Sequence, residues 1–270
     1  MIRRFAALLL IVLGCTLMVT AQDAPNAFLE VSATPQTVFV GQRVTYTLKV
    51  YSRSERFTLP SPITEGFWLD AEPTRQIINE SVNGQQYLVT ISTYTLYPLR
   101  AGTLTVMSPP VDILDTLFES GVRLDVPPAS VTVRALPEPV PSNFSGAVGR
   151  FSVARAVSAE TVMLGQPLTL VMRISGAGNF ETLTRPDLPL PDGWRTYPRP
   201  SEAPIVREGI AGVGQRTFEW RLIPDRAGVH IFPAMNIDYF EPDALAYQTV
   251  ALPEIRVDVL AAPDGTRETK

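Results

Sequence analysis

The chain has 270 residues, of which 19% are charged, and a net charge of −4. No basic footprint for nucleic acid exists, and one histidine with one cysteine cannot assemble an ordinary zinc site. The 25 prolines, nearly twice the usual share of about 5%, argue against long helices, because each removes a donor and crowds the preceding turn.

The N-terminus reads as an export signal. Arg3 and Arg4 precede the apolar run Phe5 to Val19, and Thr20-Ala21 precedes polar Gln22-Asp23. That layout is a secretory signal peptide over residues 1–21. It implies the periplasm or the extracytoplasmic face of the cell membrane. Two alternatives stay open: lipidation at Cys15, within Val12-Leu13-Gly14-Cys15, and an uncleaved anchor. No later stretch reaches the ~18 apolar residues needed to span a bilayer.

The rest of the chain alternates with a period of two. Val44, Tyr46, Leu48 and Val50 interleave with Thr45, Thr47 and Lys49, and Leu168, Leu170, Met172 and Ile174 do the same later. Such runs are half-buried strands. Asn83-Gly84 is the dipeptide that a type I′ hairpin prefers. The chain also repeats itself. Thr37 to Thr45 aligns with Thr161 to Thr169, and Leu96 to Gly102 aligns with Leu222 to Gly228, with two extra residues gained between the blocks. On the second spacing Trp68 falls on Trp194, Tyr94 on Trp220, Asp112 on Asp238 and Leu104 on His230. A repeat this long is a whole domain. The expected fold is all-β: two tandem immunoglobulin-like β-sandwich domains of seven to nine strands, at residues 24–134 and 147–260. Pro-rich residues 135–146 form a semi-rigid linker, and residues 261–270 a disordered tail.

These residues resemble the BatD family of the Bacteroides aerotolerance operon. The first copy carries the Val40-Gly41-Gln42 strand entry, Val82-Asn83-Gly84, and Tyr94 to Pro98 followed by Arg100-Ala101-Gly102. In the second copy Ser175-Gly176-Ala177-Gly178-Asn179 is similar to the family's glycine-rich turn. Pro224 to Gly228 with Phe232-Pro233 is similar to its proline–glycine corner. Tyr239-Phe240-Glu241-Pro242-Asp243 with Tyr247 is similar to its aromatic–acidic hairpin. The resemblance implies an extracytoplasmic, membrane-associated protein. Its partners would be membrane proteins with von Willebrand A-type domains, in oxygen tolerance or envelope stress, with no cofactor and no small-molecule substrate.

Candidate chemistry is sparse. His230 has no nucleophile motif beside it and reads as a strand residue. Asp238, Glu241 and Asp243 are a conceivable calcium loop, although a solvated hairpin tip is the plainer reading. Gly176 and Gly178 lack the strand–turn–helix setting of a phosphate cradle and read as a tight turn. Trp68, Trp194, Tyr94 and Trp220 read as core. The matched Arg-Ala-Gly corners predict φ > 0 at Gly102 and Gly228. Arg100 and Arg226 would lay their stems over apolar surface and bond neighbouring carbonyls or carboxylates with the guanidinium. The resulting function is a non-enzymatic protein-interaction module; a carbohydrate- or cell-wall-binding module is the alternative, favoured by exposed aromatics on one sheet face.

Overall fold

The computed structural model describes residues 25–54, 56–114, 121–197, 201–202, 204–208 and 212–261. Cys15, the cleavage point after Ala21 and all but one residue of the C-terminal tail lie outside the described residues. Those described contain no helix, and none is therefore long and apolar enough to cross a membrane.

The first half holds β1 (Ala27–Thr34), β2 (Thr37–Phe39), β3 (Val44–Ser52), β4 (Phe57–Thr58) and β5 (Phe67–Val82). It continues with β6 (Gln85–Pro98), β7 (Gly102–Val106), β8 (Val111–Ile113), β9 (Val122–Leu124) and β10 (Ala129–Arg134). One sheet runs β1-β3-β6-β5; the others run β2-β10-β7 and β4-β8-β9. Alternation puts Val44, Tyr46, Leu48 and Val50 of β3 into one core with Leu104, Val106, Val111, Val131 and Val133 of the opposing sheets. Asn83 and Gly84 both have positive φ, 53° and 79°, as the β5–β6 hairpin requires.

The second half holds β11 (Phe144–Val157), β12 (Thr161–Met163), β13 (Leu168–Asn179), β14 (Trp194–Thr196), β15 (Ser201–Glu202) and β16 (Val206–Glu208). Then come β17 (Val213–Pro224), β18 (Gly228–Phe232), β19 (Met235–Glu241), β20 (Ala246–Leu252) and β21 (Ile255–Leu260). Its large sheet runs β14-β17-β13-β11-β19-β20, with β15 and β16 also along β17; the small one runs β12-β21-β18. Leu168, Leu170, Met172, Phe218 and Trp220 meet Phe232, Val257 and Val259 in a separate core. The halves have more strands than the seven to nine expected. Where β5 of the first half runs along β6, the second half has β14, β15 and β16 along β17.

The repeat is visible in the topology. In each half a short strand pairs in parallel with the last strand, β2 with β10 and β12 with β21. This splitting of the first strand between two sheets is how an immunoglobulin-like sandwich closes. Gly41 N–H donates to Pro98 O at 2.8 Å, and Gly165 N–H to Pro224 O at 3.0 Å. Gly102 and Gly228 have φ of 117° and 126°, and a Cβ at either would point into open space. One alignment fails. Trp194 pairs with Pro224, but Pro98 pairs with Phe67 rather than Trp68. Phe67 is the buried counterpart of Trp194, and Trp68, one residue on, faces outward at 43% exposure. A one-residue shift turns a strand side chain to the other face.

Candidate interface between the two sandwiches

Some of the residues singled out by sequence, Gly178 and Phe240 among them, lie at the seam between the halves. Gly176 and Gly178 are not a turn. They lie inside β13, opposite Phe151 and Gly149 of β11. A Cβ on Gly178 would stand 2.5 Å from Val148 O and 2.7 Å from the Phe151 ring. Glycine is required there because two backbones approach closely, not because the chain reverses. The signal for this was available: Gly149, Gly176 and Gly178 all sit in runs that otherwise alternate as strands.

That bare backbone receives the first half. Tyr97, at the end of β6 and fully buried, donates its hydroxyl to Gly178 O at 2.9 Å. Asn179 is 1% exposed; its Oδ1 accepts from the Glu181 and Thr182 N–H groups, closing the segment after β13. Gly41 sits against Val148, so that a Cβ would be 3.0 Å from the valine methyl. Phe240 of β19, with no exposed surface, meets Phe39 edge-on at 4.9 Å and Tyr247 at 5.3 Å. Tyr247 in turn donates to Pro137 O of the linker at 3.1 Å. The aromatic–acidic segment is therefore a hairpin, as its sequence suggests, and two of its rings brace the junction.

Charge completes the seam. Asp70 of β5 forms an ion pair with Arg207 of β16, and Arg207 Nη2 also donates to Glu181 Oε1 at 2.5 Å. Burial holds the Asp70 carboxyl above the ordinary carboxylate range, against the lowering influence of Arg207. Burial, and Asp70 beside it, push the Tyr97 hydroxyl well up. A groove of about 330 Å³ opens next to this cluster, lined by Thr34, Gln42 and Arg43 of one half and by Arg150, Glu241 and Asp243 of the other.

The remaining candidates disperse. Asp238 is buried and accepts from Thr249 Oγ1 at 2.6 Å, whereas Glu241 and Asp243 face Arg150 at 2.8 and 3.9 Å. The three carboxylates do not converge on one point, and no cluster of three His, Cys, Asp or Glu side chains exists among the described residues. His230 Nε2 bonds Arg226 O at 2.9 Å, with its ring edge-on to Trp194 at 5.7 Å. The stem of Arg226 packs on Gly193, and Arg100 lies over Gly66. Neither guanidinium bonds a carbonyl or carboxylate among the described residues. A larger cleft of about 660 Å³, at Asn143, Ser145, Asp187 and Asn236, belongs to the second half alone. Its Arg185 is committed to Glu219 O and to the Trp220 face, 4.8 Å from the ring centre.

Comparison with known proteins agrees with the motifs. Residues 155–259 match the family model described as the BatD DUF11 like domain. Over those residues the chain is similar to the BatD family. The matched span runs from within β11 to the last strand and includes Gly176, Gly178, Asn179, Glu181, Arg207 and the β19–β20 hairpin. No curated protein matches the chain. Among solved structures, the type II cohesin dyad from the adaptor ScaA scaffoldin of Acetivibrio cellulolyticus aligns over 88% of this chain and 97% of that one, at 8% identity and a TM-score of 0.22.

Proposed function

We propose that this chain is a non-enzymatic, extracytoplasmic interaction module of a BatD-type aerotolerance or envelope-stress complex, and that it binds membrane proteins with von Willebrand A-type domains. The observation that carries the reading is where the BatD motif residues go. Gly178 and Phe240 hold one sandwich against the other, Asn179 closes the segment beside them, and none of the three stands beside a nucleophile and an oriented base among the described residues. Residues spent on fixing two domains serve presentation of a surface; sandwiches present strand edges and end loops. The outer edge of β5 is such an edge, since among the described residues it pairs with β6 alone. The carbohydrate alternative gains no support, because the exposed rings of Trp68 and Tyr197 belong to different halves rather than to one platform. Crosslinking the exported protein in native membranes tests the reading. Specific recovery of a von Willebrand A-type membrane protein is expected. Recovery of cell-wall glycan with no such protein would refute it.

A further inference from the structure

The geometry points to Arg207 as the latch of an interdomain lock: it bridges Asp70 of the first sandwich to Glu181 of the second, fixes the angle between them, and holds the composite groove open. This does not depend on what the groove or the strand edges bind. Asp70 lies at the shift in register where β5 leaves β6, between its pairing at Thr95 and its return at Thr93. From there its carboxylate meets Arg207 of the second sandwich. The side chain is 8% exposed, so its charge has little water around it. Arg207 is the cation it meets. Arg207 sits on β16, a three-residue strand along β17, and its guanidinium divides between Asp70 and Glu181. A planar fork with several donors suits this double task, and a lysine would not.

Tyr97 is the second tie. Its hydroxyl crosses from β6 to Gly178 O, and Gly178 N–H donates to Gly212 O at 3.1 Å. Gly212 packs against Tyr97 and Arg43 so closely that a Cβ would stand 2.8 Å from the hydroxyl. Among the described residues, the ionisable groups facing this point are Asp70, Tyr97 and Arg43 from one half and Arg207 and Glu181 from the other. The groove is walled from both halves, so it exists only while they keep this angle.

The sign of the pH response is set by burial. In the closed seam Asp70 takes up a proton more readily than it would in water. Its contribution to closure is therefore complete below the ordinary carboxylate value and is lost as pH rises through its own raised value. At neutral pH the charged Asp70 costs closure, and Arg207 is what offsets that cost. Removing one partner of a buried pair is worse than removing both.

The test uses the full exported chain, small-angle scattering for interdomain shape, and calorimetry. Arg207→Ala is expected to extend the particle at pH 7 and to split unfolding into two transitions. Acidification through the Asp70 range should draw it closed again. Asp70→Asn in the Arg207→Ala background should restore the compact profile at pH 7, because the most buried carboxylate is then neutral and Glu181, which is more exposed, keeps access to water. Tyr97→Phe should loosen the seam by a smaller step at every pH. A scattering curve and melt for Arg207→Ala that superimpose on the wild type would overturn the proposal. So would an opened Arg207→Ala particle that neither acid nor Asp70→Asn recloses.

Discussion

The two halves of this chain share a corner and differ in the hairpin beyond it. After each Arg-Ala-Gly corner comes a strand, then a hairpin with an aspartate at the matching place, Asp112 or Asp238. In the first half the hairpin strands β8 and β9 are three residues long and pair on toward β4. Asp112 is exposed there and meets Arg123 at 3.5 Å. In the second half β19 and β20 are seven residues long, and β19 joins β11 in parallel. Asp238 is buried and satisfied, and the hairpin reaches the other sandwich through Phe240. One duplicated design thus serves once as a short flap and once as a brace. The repeat keeps the corners that fold each sandwich, while the lengths between corners set how the sandwiches meet.

The sharpest way to break that contrast is to truncate both hairpins at the same place. Phe240 has no exposed surface and stands on the spacing that gives Leu114 in the first half, where the side chain is 53% exposed. Phe240→Ala is expected to cost about 3–5 kcal/mol in chemical denaturation, the range for a buried phenylalanine. Leu114→Ala should stay within about 0.5 kcal/mol. Equal effects would mean that the two hairpins are not used differently.

The glycines separate by the same logic. Gly178→Ala forces a Cβ into Val148 O and the Phe151 ring; overpacking of this kind costs about 1–3 kcal/mol. Gly102→Ala and Gly228→Ala meet nothing, and carry only the strain of positive φ, about 1 kcal/mol each. The two corner variants should match each other, and Gly178→Ala should exceed both in the same denaturant series. Arg226→Ala, which removes a stem packed on Gly193, is expected to be smaller still, at about 0.5 kcal/mol.

Alkaline pH should act on the first half by way of a residue the second half lacks. Tyr46 stands where the second copy has Leu170, and its hydroxyl has no partner among the described residues. Burial, with Tyr94 nearby, pushes it up to about 12. The unfolded value is about 10, so the contribution is intact below about 10 and is lost as pH rises from there through about 12. Tyr46→Phe should leave stability at pH 7 nearly unchanged and flatten the alkaline fall. A fall of undiminished slope would place its origin elsewhere.

Much of the fold was legible in the residues themselves. Alternation located β3, β6 and β13, Asn83-Gly84 located a hairpin, and the two corners gave the signs of φ at Gly102 and Gly228. The seam was less legible. Arg207 and Asp70 carry no motif, and their meeting depends on a register irregularity in β5 and on a three-residue strand, neither of which leaves a periodic trace. Gly176 and Gly178 were visible as special positions, but a glycine in sequence does not say whether the chain turns or another backbone comes near. Trp68 was misplaced because counting from one corner cannot detect a single-residue slip. Repeat spacing therefore located the corners well and the tryptophans poorly.

The claim that the BatD-like motif residues join two sandwiches into one body is tested most directly by residual dipolar couplings from the full chain in a weakly aligning medium at pH 7. A single alignment tensor should fit the backbone N–H couplings of both halves, with the orientation set by the Tyr97–Gly178 and Asp70–Arg207 contacts. Two tensors of different magnitude, one for each half, would show that the sandwiches tumble apart and would contradict the account.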